Sequence, residues 1–248
     1  MSSTKIGGDA AIAVDGRTRG SVVRMGLLKR RANLSQEDFG KHWRELHGPL
    51  AARLPGLRRY HQNHVVDSEQ RGIDYPRGPV TFDGISELWF DDESSMRKAL
   101  SSDAMSALAS DEANFIDDIH VITVEQNVVI PTPPGARLLK RMSTLKRRED
   151  VTPETFRHEW FDVHSLLVKR LPQVKGYTQN LILDRRRGRG AQVSRDDLPI
   201  DGMVELWFED VQRLQSAFRS PAGITLMTHA REFIAEISTF LVEVHEVV

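Results

Sequence analysis

HWRELHGPLAARLPGLRRYHQN, residues 42–63, recurs as EWFDVHSLLVKRLPQVKGYTQN, residues 159–180. Trp43 corresponds to Trp160, His47 to His164, Pro55 to Pro172, Tyr60 to Tyr177 and Asn63 to Asn180, each pair 117 positions apart (160 − 43). Downstream, DGISELWF at 83–90 returns as DGMVELWF at 201–208, now 118 apart (201 − 83), so the loop between has gained one residue. So long a period is that of a duplicated domain, not of a solenoid repeat. The copies have diverged, so what both retain can be weighed against what only one carries.

The repeat divides the chain into a flexible N-terminal tail at 1–20, copy one at 21–130, a linker at 131–136 and copy two at 137–248. Each copy, at roughly 110 residues, is large enough to fold without staples. A hydrophobic fraction of 40% with 28% charged residues is that of a soluble globular protein. A net charge of −1 gives no general attraction to nucleic acid or to an anionic membrane. There are no cysteines, which excludes disulfides, thiolate catalysis and Cys-based metal sites and fits a cytoplasmic location. No run reaches the roughly 18 apolar residues of a membrane span.

Each copy reads strand, helix, strand, strand, helix, strand. Val22–Arg31 is an apolar run suited to a buried strand. Ser35 then caps a helix with Glu37 and Asp38 in its first turn, and Thr152 takes the cap in copy two. Phe39, Trp43, Leu46, His47, Leu50 and Leu54 fall on one side of that helix, as do their counterparts from Phe156 to Leu171. Pro55 and Pro172 end the helices. Strands are expected over Leu57–Val66, Pro79–Phe90 and His120–Ile130, with helix over about 92–115. The order βαββαβ is the ferredoxin-like arrangement, an α+β fold with helices on one sheet face. The bare face needs a partner, and two copies in one chain supply it to each other.

WRELHGPLAARLPGLRRYHQN followed by DGISELWF resembles the EthD domain of the dimeric α/β-barrel superfamily. Copy two resembles it more loosely, since SLLVKRLP replaces GPLAARLP. The resemblance covers about 22–129 and 138–247 and implies two ferredoxin-like domains packed as an intrachain barrel. It also implies small cyclic, acidic or phenolic substrates, without fixing the reaction. Relatives include decarboxylases, dehydratases, lactone isomerases, cofactor-free oxygenases and haem enzymes.

His47 and His164 are the leading catalytic candidates, since both copies keep a histidine on the buried helix face. Packing is the plainer role for a lone core histidine. A neutral imidazole in an apolar pocket can, however, take a proton from an activated C–H or O–H. Glu87 and Glu205 are the second catalytic pair, each flanked on its strand face by apolar residues and so in need of a partner. That partner could be a histidine or Arg24 or Arg141, or the pair could be structural. Tyr60 and Tyr177 are candidate substrate ligands, with Asn63 and Asn180 on the opposite strand face. Trp43 and Trp160 are candidate pocket walls. His229 and the other histidines lack a counterpart in the other copy, and no zinc-binding spacing or glycine-rich phosphate loop occurs.

These features point to a cofactor-free lyase or isomerase acting by histidine acid/base catalysis on a small cyclic acid, lactone or phenolic catabolic intermediate. The alternatives are a cofactor-independent oxygenase of phenols and a non-catalytic binding or accessory protein of a degradation pathway. No metal is expected; a haem would need only one axial histidine. The expected partner is a small molecule, not nucleic acid or a membrane, and a homo-oligomer of the two-domain chain is compatible with this reading. RRRGRG at 185–190 reads as a solvated loop.

Overall fold

The computed structural model describes residues 21–188 and 190–248. The tail expected at 1–20 lies outside the described residues, as does Arg189 of the basic loop. Copy one runs β1 (Val22–Arg30), α1 (Gln36–His42), a π-helical turn (Trp43–His47), α2 (Gly48–Ala51), β2 (Leu57–Asp67), β3 (Gly84–Phe90), α3 (Glu93–Leu100), α4 (Asp103–Phe115) and β4 (Ile116–Ile130). Copy two repeats it with β5 (Leu139–Arg147), α5 (Pro153–His158), a π turn (Glu159–His164), α6 (Ser165–Val168), β6 (Gly176–Arg187), β7 (Gly202–Phe208), α7 (Val211–Arg219), α8 (Pro221–Phe233) and β8 (Ile234–Glu246). Among the described residues no helix is long and apolar enough to cross a membrane.

Within copy one the strands lie in the order β4-β1-β3-β2, and copy two repeats this as β8-β5-β7-β6. β2 pairs with β8 and β4 with β6, so two ferredoxin-like sheets close into one eight-stranded antiparallel barrel. Closure removes every free sheet edge. Strand alternation then sorts side chains between two environments. Met25, Ile85, Trp89, Met142, Met203 and Phe240 fill the barrel interior, while Tyr60, Leu88, Tyr177 and Leu206 face outward under the helices.

Both helix caps form as expected, Ser35 accepting from the Asp38 amide and Thr152 from that of Thr155. Two boundaries differ from the sequence reading. β3 starts at Gly84, not Pro79, because the preceding segment is loop. β4 starts at Ile116 because α4 runs straight into it, Ile116 being extended already at φ −103 and ψ 132.

The Asp-Gly opening of each ELWF strand has a packing cause. A Cβ on Gly84 would stand 2.4 Å from the Trp43 ring, and one on Gly202 2.4 Å from the Trp160 ring. Only glycine lets the helix tryptophan lie directly on the strand. The preceding aspartates, Asp83 and Asp201, accept from the Arg30 and Arg147 amides at 3.0 and 2.9 Å and tie β3 and β7 to their neighbours.

Candidate active site

The π turn is held open by a strand side chain. The Trp43 carbonyl accepts the Gly48 amide, a five-residue step, and also Nε2 of Gln62 at 2.8 Å. Inserting a side-chain donor into the helical ladder is a recognised cause of such local widening. In copy two Gln179 Nε2 makes the matching bond to the Trp160 carbonyl at 2.6 Å. The carbonyl can only accept, so each glutamine's NH₂ must face it. The same NH₂ donates to a tyrosine hydroxyl, Gln62 to Tyr60 at 3.3 Å and Gln179 to Tyr177 at 2.9 Å. Trp43 and Trp160, whose Nε1 can only donate, supply a second bond to those hydroxyls at 2.8 and 3.2 Å. Each phenolic oxygen therefore accepts twice and has its own proton left to donate. Burial pushes both phenols above their ordinary pKa, so the protons stay on.

In copy one Tyr60 lines a cavity of about 30 Å³ together with His47, Arg24, Trp43 and Glu112. Nδ1 of His47 lies 2.8 Å from Asp111 Oδ2, and Nε2 of His42 lies 2.9 Å from Asp111 Oδ1. Burial lowers the His47 pKa despite the hydrogen bond to Asp111, so the ring is neutral at pH 7. Burial would raise Asp111, but its bonds to His42 and His47 outweigh this and hold it below its ordinary value. An ionised Asp111 can only accept, so a neutral His47 carries its proton on Nδ1 and donates it in a hydrogen bond, which leaves the lone pair on Nε2. The small cavity adjoins an open groove of about 770 Å³ with which it shares Arg24, Leu100 and Met105.

Copy two rebuilds this arrangement differently. His229 stands at the position of Asp111, its Nδ1 3.1 Å from Nδ1 of His164 and its Nε2 3.2 Å from Glu159 Oε2. Burial, then the neighbouring His229, pushes the His164 pKa down to about 3. His164 lines a second cavity of about 40 Å³ together with Arg141, Ser143, Tyr177 and Ile73. Ile73 comes from the β2–β3 loop of copy one, which contributes to the wall of this cavity. The loop is anchored on copy two by Gln70 to the Ile237 carbonyl at 2.6 Å and by the Tyr75 hydroxyl to the Ile234 carbonyl at 2.7 Å.

The sequence-derived candidates thus separate into two places. His47, Trp43 and Tyr60 meet outside the sheet, as do His164, Trp160 and Tyr177 in copy two. Glu87, Glu205, Asn63 and Asn180 lie inside the barrel and do not meet the histidines. Their partner is neither Arg24 nor Arg141 but Lys140, which stands where copy one has Val23. Lys140 Nζ lies 2.8 Å from Glu87 and 2.7 Å from Glu205, and Asn63 and Asn180 donate to those carboxylates at 2.8 Å each. One lysine faces two buried carboxylates. Burial and Glu87 push Glu205 up to about 7, whereas for Glu87 burial is outweighed by Lys140, which holds it low. The trio therefore keeps one extra proton below neutrality.

Sequence reasoning missed Asp111, Lys140 and the two glutamines. Lys140 was masked by the three other cations of its strand LKRMSTLKR, whereas the glutamines were visible as part of the repeated Tyr-x-Gln-Asn. Asp111 gave no signal, because its counterpart is a histidine. Among the described residues no group of three or more His, Asp or Glu side chains could hold a metal ion.

Several solved structures share the fold. An anthrone oxidase-like protein matches with a TM-score of 0.61 at 13% identity, over 93% of this chain and 94% of its own. A candidate monooxygenase from Lactobacillus acidophilus matches with a TM-score of 0.56 at 8% identity, over 93% of this chain and 95% of its own. Both likenesses span the two copies together. No curated protein matches the sequence significantly. The model of the EthD domain matches residues 31–119 and again residues 148–236, one match in each copy. These matches cover more than half of the chain, which therefore belongs to the EthD domain family.

Proposed function

We propose that copy one is the working site of an enzyme that abstracts a proton from a small cyclic acid, lactone or phenol. His47 Nε2 is the base, Asp111 fixes its tautomer, and the Tyr60 hydroxyl donates to the oxygen on which negative charge develops. The observation that carries this reading is the His47–Asp111 bond on the wall of the cavity that Tyr60 also lines. A base and an oxyanion donor on one cavity are what enolisation of a carbonyl or ionisation of a phenol requires. The groove beyond Arg24 has room for a ring, whose reacting carbonyl or hydroxyl would enter the small cavity. The proton returned to another atom gives an isomerase, and loss of a β-group or of carboxylate gives a lyase.

A second reading shares the first step. The fold neighbours named as an anthrone oxidase-like protein and a monooxygenase favour a carbanion or phenolate that then reacts with molecular oxygen. Incubation with a panel of cyclic keto acids, lactones and phenolic ketones, with and without oxygen, separates the two. Turnover under anaerobic conditions supports the lyase or isomerase, and turnover only with oxygen consumption supports the oxygenase. Full activity in both Asp111→Asn and Tyr60→Phe would remove the proposed site from either.

A further inference from the structure

The copy-two cavity contains a buried cation with no carboxylate among its described lining residues. Arg141 on β5 is 3% exposed. Its guanidinium stacks on Phe218 with 4.4 Å to the ring centre, and Nη1 donates to the Arg71 carbonyl at 3.2 Å. Its Nε has no hydrogen-bond partner among the described residues, and neither has Oγ of Ser143, two residues along on the same strand face. Both side chains line the cavity of about 40 Å³, and Arg141 is the sole ionised group among its described lining residues. Burial lowers its pKa to about 9, so it remains charged at neutral pH. His164 on the same wall is neutral there.

Comparison of the copies shows what has changed. In copy one Glu112 lines the cavity that holds Arg24. The equivalent position in copy two, 118 residues on (230 − 112), is Ala230, which lines the cavity of Arg141. A carboxylate has been replaced by a methyl group while the arginine has stayed. A buried charge without a counter-ion is strongly unfavourable. Three donors remain, the guanidinium, the Ser143 hydroxyl and the spare proton of Tyr177, with no carboxylate among the described lining residues.

We infer that the copy-two cavity binds a small monoanion, a halide or a carboxylate of one or two carbons, on Arg141, Ser143 and Tyr177. The anion supplies the negative charge that Glu112 brings to the cavity wall in copy one. The cavity admits a few atoms and no ring, which sets the size class. The inference concerns copy two alone and stands independently of the reaction proposed for copy one.

Bromide soaked into crystals of the full chain should give an anomalous peak in contact with the Arg141 guanidinium. In solution, replacing chloride by gluconate, too large for the cavity, at constant ionic strength should lower Tm by about 3–5 °C. That is the shift for losing a ligand held at about ten times its Kd in a chain of this size. Arg141→Met, which removes the cation, and Ala230→Glu, which restores the internal carboxylate, should each abolish the difference. Ser143→Ala should weaken halide binding about tenfold, the loss of one hydrogen bond to an ion. Acetate or formate in place of chloride shows which anion is preferred, by the higher Tm. No bromide at Arg141, or the same anion response in Arg141→Met as in the wild type, would overturn the inference.

Discussion

At position 47 the imidazole has one nitrogen committed to Asp111, and the chemistry depends on the other. Replacing His47 by Gln, or Asp111 by Asn, should lower turnover about 10²–10⁴-fold with little change in Tm, measured as kcat/KM beside a thermal melt. Tyr60→Phe should cost about 10²–10³-fold, the worth of one preorganised oxyanion donor. The pH profile follows from the sign of the shift. The base must be neutral and its pKa lies below 6.5, so kcat/KM should rise on an acid limb below 6.5 and be level above it. The barrel interior makes a separate prediction. Glu205 has a folded-state pKa raised to about 7 from an ordinary 4.5, so the stability it contributes at low pH is lost as pH rises through 7. Glu205→Gln cannot ionise. It should match the wild type at pH 4 and be more stable by about 1–3 kcal/mol at pH 8, read from denaturant melts at the two pH values. Of these residues, the duplication marked both histidines, both tyrosines and both glutamates. It could not reveal that the glutamates face away from the histidines to a lysine present in one copy only. Nor could it reveal Asp111, whose role passes to His229 and Glu159 in the other copy.

Among the elements, the first helix of each copy departs most from its sequence reading. The spacing of Phe39, Trp43 and His47 reads as uninterrupted α-helix, yet Trp43–His47 is a π turn because Gln62 reaches across from β2 to the Trp43 carbonyl. Periodicity along one segment cannot register a bond from another. The same distant contact explains the glycines that open β3 and β7. Gly84→Ala or Gly202→Ala drives a methyl into a fully buried indole and should cost about 1–3 kcal/mol or more of stability, seen as a lower midpoint in urea. Strand identity was legible because alternation and the apolar runs are local properties. The start of β4 was not, because α4 passes into it without a turn residue.

For the whole molecule, the barrel follows from the bare sheet face that each ferredoxin-like half would expose alone, and this was legible from the repeat. The fuller pattern of copy one also pointed to His47 over His164, but the unlike surroundings of the two were not legible. The β2–β3 loop of copy one supplies Ile73 to the wall of the copy-two cavity, while the copy-one cavity adjoins the large groove, so equivalent histidines sit in unlike surroundings. The central claim is that proton transfer belongs to copy one. Deuterium exchange in heavy water, followed by NMR across a panel of cyclic keto acids, lactones and phenolic ketones, tests it without requiring the full reaction. Wild type and His164→Gln should catalyse exchange at an activated carbon of at least one compound at comparable rates, and His47→Gln should lose about 10²–10⁴-fold of that rate. Exchange by His47→Gln at the wild-type rate, an equal loss in His164→Gln, or no exchange with any compound would contradict the account.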